Sequence, residues 1–311
     1  MALPSSTLAT YQAIGNREDL SDRIYRIDPT QTPFMSGIER EKATATLHEW
    51  QTQALAAADG TNAVLEGDDA TTDTVTVTVR LSNIAQISDK VARVTGTQEA
   101  VDHAGRGSEI AYQEMLKGVE LKRDIETILL QNQTKVTGST TTARTTAAVL
   151  SWIATNDDHV GTSPTSGTTT RVDGTQRAFT EAQVKTVLAA CYTAGGKPDT
   201  IMAGAFNKQA FSTFTGRATP MEDTGTKKIV AAVDTYVSDF GKLKVVPNLF
   251  QRTRDVHILQ MDMWALAFLR PIGSKALAVT GDSVRRQILG EYALVSRNEK
   301  ASGGVFDLTT S

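Results

Sequence analysis

Residues Ala43–Arg80 read "ATATLHEWQTQALAAADGTNAVLEGDDATTDTVTVTVR", and the reading of this stretch decides the fold. It opens strand-like, through about Leu55. It closes with Val75, Val77 and Val79 alternating against Thr74, Thr76 and Thr78, the period-two pattern of a strand. Between them lie about 20 residues with little that could form a core, a length that is uncommon in a compact domain and points to function or disorder. The insert "LAAADGTNAVLEGDDATTD" contains no Lys or Arg and carries Asp59, Glu66, Asp68, Asp69 and Asp73. An extended two-stranded ribbon is marginal in water on its own, so it needs another surface to rest against.

Working outward, residues 1–42 are polar with scattered apolar anchors at Ile14, Leu20, Ile24, Tyr25, Ile27, Phe34, Met35 and Ile38. A short helix is predicted over Arg17–Arg26 with Asn16 as its cap, and Pro29 and Pro33 break any helix beyond it. Downstream, "TVTVTVRLSNIAQISDKVARV" (74–94) reads as the second strand. A long helix follows over Ser108–Gln131, with Ser108 as N-cap and Glu109 in the first turn. Its apolar stripe starts at Ala111, Tyr112, Met115, Leu116 and Val119 and widens through Leu121, Ile125, Ile128 and Leu129.

Residues 133–178 are rich in Thr, Ser and Gly. "DDHVGTSPTSGTTTRVDGTQ" is expected to be an exposed loop and "AAVLSWI" a short strand. From Phe179 the pattern tightens. Thr180 and Gln183 have capping-box spacing, Phe179 and Val184 have staple spacing, and Gly195–Gly196 supply a stop. "DTIMAG" reads as a buried strand and "AFNKQAFSTF" as a short helix. "KLKVVPN", "DVHILQM", "ALAFLRP", "KALAVT", "RRQILGEYALVSR" and "GGVFDLT" read as strands. The fold class is α+β with a strand-rich end.

The 311 residues are 40% hydrophobic and 22% charged, enough for a substantial core. The net charge of −3, from 32 basic and 35 acidic residues, argues against a surface that coats nucleic acid. No apolar run is long enough to span a membrane. The start lacks the pattern of a secretory signal, and the single Cys191 forms no intrachain disulfide, so folding in a reducing cytoplasm is expected.

No catalytic constellation emerges. His48, His103, His159 and His257 are scattered, none at helical pair spacing, so neither a metal site nor a cofactor is expected. Cys191, inside the 179–196 helix, reads as a small core residue. Asp223-Thr224-Gly225 has the letters of an aspartic-protease motif but follows "TPME", which is no apolar strand, and a dyad needs a second copy. Arg252 with Arg254, and Arg285 with Arg286, fit salt bridges or a solvated face.

The order of parts, and "IGNREDLSDRIYRIDPTQTPFMSGIEREKATATLHEWQTQAL" with "GDSVRRQILGEYALVSRNEKASGGVFDL", resembles the major capsid proteins of tailed bacteriophages, the Hong Kong 97 (HK97-like) fold. That resemblance implies an N-arm (1–42), an E-loop (43–95), a P domain (96–160 and 262–311, with a spine helix at about 108–131) and an A domain (161–261). It implies a non-enzymatic protein that assembles in the host bacterial cytoplasm into hexamers and pentamers of an icosahedral head shell. It also implies portal, scaffolding or decoration partners, and DNA enclosed without sequence-specific binding. The absence of a long extension before the arm implies a separate scaffolding protein or none. Inter-subunit contacts are expected at Phe34, Trp50, Asp59, Val64, Leu65, Glu66, Asp68 and Asp69. The founding phage of the fold cross-links through an E-loop lysine; residues 51–79 contain no Lys, so that chemistry is expected to be absent here. A tube or connector component is the alternative structural reading. An aspartic-type hydrolase using Asp223 is the enzymatic one, and a β-rich adhesin is disfavoured by the long helix.

Overall fold

The computed structural model describes residues 14, 24–25, 28–70, 72, 75–214 and 234–310. The helix expected over Arg17–Arg26 falls almost wholly outside these residues, and Asp223 does so entirely.

Three sheets and one long helix organise the chain. Strand β1 (Glu39–Lys42) runs parallel to β10 (Trp264–Ala276), which pairs antiparallel with β11 (Ser283–Ser296), which in turn pairs with β4 (Gln86–Thr95). Of two segments expected as separate strands, "ALAFLRP" lies wholly on β10, whereas "KALAVT" gives it only Lys275 and Ala276 and then leaves the strand. The register shifts between Phe268 and Gly273, around Pro271, where the missing N–H is tolerated at the irregularity.

Helix α3 (Glu109–Leu130) lies against β4 and β11. Its start matches the sequence reading: Ser108 Oγ accepts from the Ala111 N–H at 3.3 Å, and Glu99 accepts from the Ile110 N–H at 3.0 Å and from Ser108 Oγ at 2.6 Å. Its buried stripe, however, is Leu121, Ile125 and Leu129, one residue per turn, joined by Leu130; Ala111 and Met115 face solvent. The fully buried apolar stripe is confined to the second half of the helix.

A mixed six-stranded sheet has the order β5 (Asp157–Asp158), β12 (Gly303–Val305), β9 (Val256–Leu259), β6 (Thr200–Ala203), β8 (Gly241–Pro247), β7 (Thr235–Ser238). Helix α5 (Glu181–Thr193) covers one face. Its capping box forms, with the Thr180 N–H donating to Gln183 Oε1 at 2.8 Å, and Gly195 follows at φ +85°. A Cβ on Gly303 would meet the Asn156 carbonyl and the Val187 side chain, so glycine sets how closely α5 approaches β12. Helix α6 (Ala205–Ser212) follows β6.

Neighbouring residues of β6 and β9 feed two cores. Ile201, Ile258 and Val305 pack with Val184, Leu188, Cys191 and Phe211. Met202, Leu259 and Phe306 pack with Leu121, Ile125, Leu150, Trp152, Trp264 and Tyr292. The segment "AAVLSWI", expected as a strand, contains the short helix α4 (Val149–Trp152), with all four residues buried. An apolar run buried on every side carries no period to separate the two states.

The third sheet is a ribbon of β2 (Leu47–Thr52) and β3 (Val79–Ile84), paired from Leu47↔Ile84 to Thr52↔Val79. Beyond it, Val75 and Val77 lie in no strand, so among the described residues the alternation at 75–78 has no strand partner.

Candidate assembly surface

The base of the ribbon is fixed to the chain's own core. The Trp50 ring lies 5.4 Å from Trp152, and its Nε1 donates to the Ser296 carbonyl at 2.8 Å. The wholly buried Asn83 donates to the Leu294 carbonyl at 2.6 Å and accepts from the Ala147 and Ile84 N–H groups at 2.8 Å. Three of these four contacts reach residues 64 or more positions away and tie the base of the ribbon to the body.

The N-terminal segment is fixed in the same way. Helix α1 (Pro33–Gly37) begins at Pro33, which opens a helical turn instead of only ending one. Glu126 of α3, fully buried, accepts from the Phe34 N–H at 2.8 Å, the Met35 N–H at 2.7 Å and Asn248 Nδ2 at 2.7 Å. Burial pushes its carboxyl above the ordinary range, and these three donors pull against that shift. Phe34 has no exposed surface and sits edge-on to Trp264 at 6.2 Å. One expected contact residue is therefore corrected. Phe34 is core, with nothing left to offer a neighbour; Trp50 is half-buried, with part of its ring engaged within its own chain.

The remaining six candidates stand on the loop between β2 and β3, all exposed. Val64 is 72% and Leu65 80% exposed, and Leu55, Val75 and Val77 are similarly bare. Asp59 Oδ1 accepts from the Thr61 hydroxyl at 2.6 Å and the Thr61 N–H at 2.8 Å, which lowers its pKa. Among the described residues, Glu66, Asp68 and Asp69 pair with no cation. The loop thus carries uncovered apolar side chains and uncompensated negative charge together.

Sequence reasoning missed a second polar construction. The Thr-rich stretch expected to be an exposed loop is bolted down by ion pairs. Arg171, 2% exposed, pairs with Asp157 at 2.7 Å, donates to the Ile153 carbonyl at 2.8 Å and stacks 3.8 Å over the Phe306 ring. Arg252 pairs with Asp173 at 2.6 Å, and Arg254 pairs with Asp307 at 2.7 Å, as the salt-bridge reading expected. Asp307 sits at φ +60° and accepts from the Val160, Gly161 and Gly174 N–H groups. Burial raises its pKa, but these donors and Arg254 win, and the carboxyl is held below its ordinary value. Within the same region burial lifts Asp255 to about 7 and drops His257 to about 3. Burial also pushes the Cys191 thiol up to about 12, which suits a core residue and not a nucleophile. Among the described residues no cluster of His, Cys, Asp or Glu could hold a metal ion, and no helix is long and apolar enough to cross a membrane.

Solved structures share this architecture. A chain from Gordonia phage Cozz superposes with a TM-score of 0.64 at 9% identity, covering 99% of this chain and 98% of that one. A chain from the cyanophage A-1(L) capsid asymmetric unit gives 0.65 at 13% identity, over 97% and 98%. A chain from phage G, in a structure of major capsid proteins and decoration proteins, gives 0.54 at 10% identity, over 99% and 100%. The fold is that of a phage capsid protein, consistent with the HK97-like class. The description of the SU10 major capsid protein family matches residues 5–309, and the chain belongs to that family. It is 30% identical to the major capsid protein of Escherichia phage Phieco32, over 98% of both chains. It is therefore a major capsid protein of a phage, a structural component of the virion.

Proposed function

We propose that the chain builds the closed icosahedral head shell as hexamers and pentamers, and that residues 43–95 are the E-loop, whose outer part, 53–78, clasps a neighbouring subunit. The observation that carries this reading is the exposure of Leu55, Val64, Leu65, Val75 and Val77 on a loop whose base is locked to the chain's own core. Uncovered apolar groups on a fixed base favour burial against another copy. On this reading residues 1–42 are the N-arm, α3 is the spine helix of the P domain, and 161–261 form the A domain toward capsomer centres. The role is structural and not enzymatic. Assembly takes place in the host cytoplasm, with portal and scaffolding or decoration proteins as partners, and a slightly acidic shell encloses DNA without reading its sequence. With no Lys in 51–79, the shell rests on non-covalent contacts at this loop, each modest and many per subunit.

The test is negative-stain electron microscopy of the chain expressed alone and with 53–78 replaced by a tight turn. Shells or capsomers from the intact chain, lost on shortening, are expected. Monomers in both samples, at concentrations where the fold is intact, refute the reading. Open tubes or rings would favour a tube or connector component instead.

A further inference from the structure

Two hollows open side by side where the N-terminal segment crosses the body. One, about 350 Å³, lies between the 28–33 segment and the 247–250 loop. The other, about 480 Å³, shares Thr30, Gln31 and Pro33 with it and runs on to Arg40 and Lys122. The first is walled by Pro29, Pro33, Pro247 and Leu249, stiff apolar groups of which Leu249 is 65% exposed. Around the rim stand three cations. Arg40 and Lys122 are exposed, and the Arg123 guanidinium lies 5.4 Å over the Phe250 ring. Among the described residues none of the three pairs with a carboxylate. Asp28 is the one acidic residue lining either hollow.

The loop carries the opposite surface. The Asp68 N–H donates to the Leu65 carbonyl at 3.1 Å and Gly67 sits at φ +86°, which makes Leu65–Asp68 a tight turn with glycine where a positive φ is required. This turn gathers the bare side chains of Val64 and Leu65 with Glu66, Asp68 and Asp69, an apolar knob beside three unpaired carboxylates. The hollow offers an apolar socket beside three unpaired cations. In the isolated chain both are uncovered, so the knob does not sit in its own chain's socket.

We infer that the Leu65–Asp68 turn, with Val64, seats in the hollow between 28–33 and 247–250 of a second copy of this chain, with Glu66, Asp68 and Asp69 facing Arg40, Lys122 and Arg123. The inference rests on the clasp reading above and names the surface that is clasped. The reach suffices: the residues from Thr52 to Leu65 span up to ~40 Å when extended, more than the ~33 Å length of α3.

The test is cysteine pairing in assembled particles. Leu65→Cys is combined with Leu249→Cys; native Cys191 has no exposed surface and does not compete. After oxidation and denaturation a ladder of covalent multimers is expected, and covalent pairs form when the two single variants are co-assembled. Shells that form normally yet yield only monomers overturn this inference while leaving the clasp reading intact. A single fast-migrating monomer, closed within one chain, also overturns it. A charge test reads the same surface without cysteines: Arg40→Glu with Lys122→Glu lowers the yield of particles by roughly tenfold or more, and adding Glu66→Lys with Asp68→Lys restores it. Full yield from the first pair alone, or no rescue by the second, refutes the pairing.

Discussion

Replacing Glu126 by alanine detaches the N-terminal segment from the body. The carboxylate serves three buried donors, the N–H groups of Phe34 and Met35 and Nδ2 of Asn248. Leaving a buried donor without an acceptor costs about 1–3 kcal/mol, so three orphans cost roughly 3–9 kcal/mol. Two terms offset part of this. Water can enter the emptied space, and the variant no longer buries a carboxylate against which no cation acts, the cause of its raised pKa. A net loss of about 3 kcal/mol remains, equivalent to a fall in Tm of roughly 6–12 °C. Glu126→Gln keeps one oxygen acceptor, turns an NH2 toward the other donors, and loses about 1 kcal/mol. Denaturant unfolding measures both variants, and hydrogen exchange at Phe34 and Met35 locates the effect. An alanine variant as stable as the parent, with those two amides still protected, would refute the claim that Glu126 holds this segment.

Three further outcomes are expected. Asp255, raised by burial from 3.8 to about 7, binds its proton more tightly folded than unfolded; its stabilising contribution is complete below about pH 4 and lost as pH rises through about 7. Asp255→Asn removes this alkaline loss, worth at most about 4 kcal/mol, and denaturation between roughly pH 5 and 8 reads it. His257, lowered by burial from 6.5 to about 3, has the opposite sign, so its contribution is lost as pH falls below about 6.5; His257→Phe flattens that acid limb. Arg171→Met leaves the buried Asp157 carboxylate without its guanidinium and costs about 3–5 kcal/mol, measured against a smaller loss for the more exposed Arg177→Met. Ile125→Ala costs about 2–5 kcal/mol, whereas Met115→Ala, at 55% exposure, stays within about 0.5 kcal/mol in the same unfolding assay.

Local chemistry was the legible part of this sequence. The Ser108 cap, the Thr180–Gln183 box and the Gly195 stop each act within a few residues, and the structure holds them where their spacing puts them. The long loop was legible as well, because an acidic, core-poor insert between two strand patterns has few other readings. What escaped were pairings distant in sequence. Arg171 and Asp307 sit among Thr and Gly residues or at a strand end, and nothing local says that they meet Phe306 and Arg254. The assignment of Phe34 to a contact surface failed for the same reason: its partner Trp264 lies 230 positions away, and an isolated apolar residue in a polar segment looks unpartnered. Of the eight candidate residues, Phe34 is absorbed by the chain itself, Trp50 is half-buried, and the six on the loop remain uncovered.

That division constrains how the shell holds together. Burying Leu55, Val64, Leu65, Val75 and Val77 fully on a neighbour yields roughly 8–15 kcal/mol. On the clasp reading, backbone pairing that lengthens the β2–β3 ribbon would add to this. The Val75 and Val77 alternation, unpaired in the single chain, then has a physical use as strand waiting for its partner. On that reading, covering the loop and adding a subunit would be one event, and growth of the shell would be cooperative. On the same reading, a subunit with its loop only half covered would be held more weakly than one fully clasped, because it makes fewer of the contacts that act together.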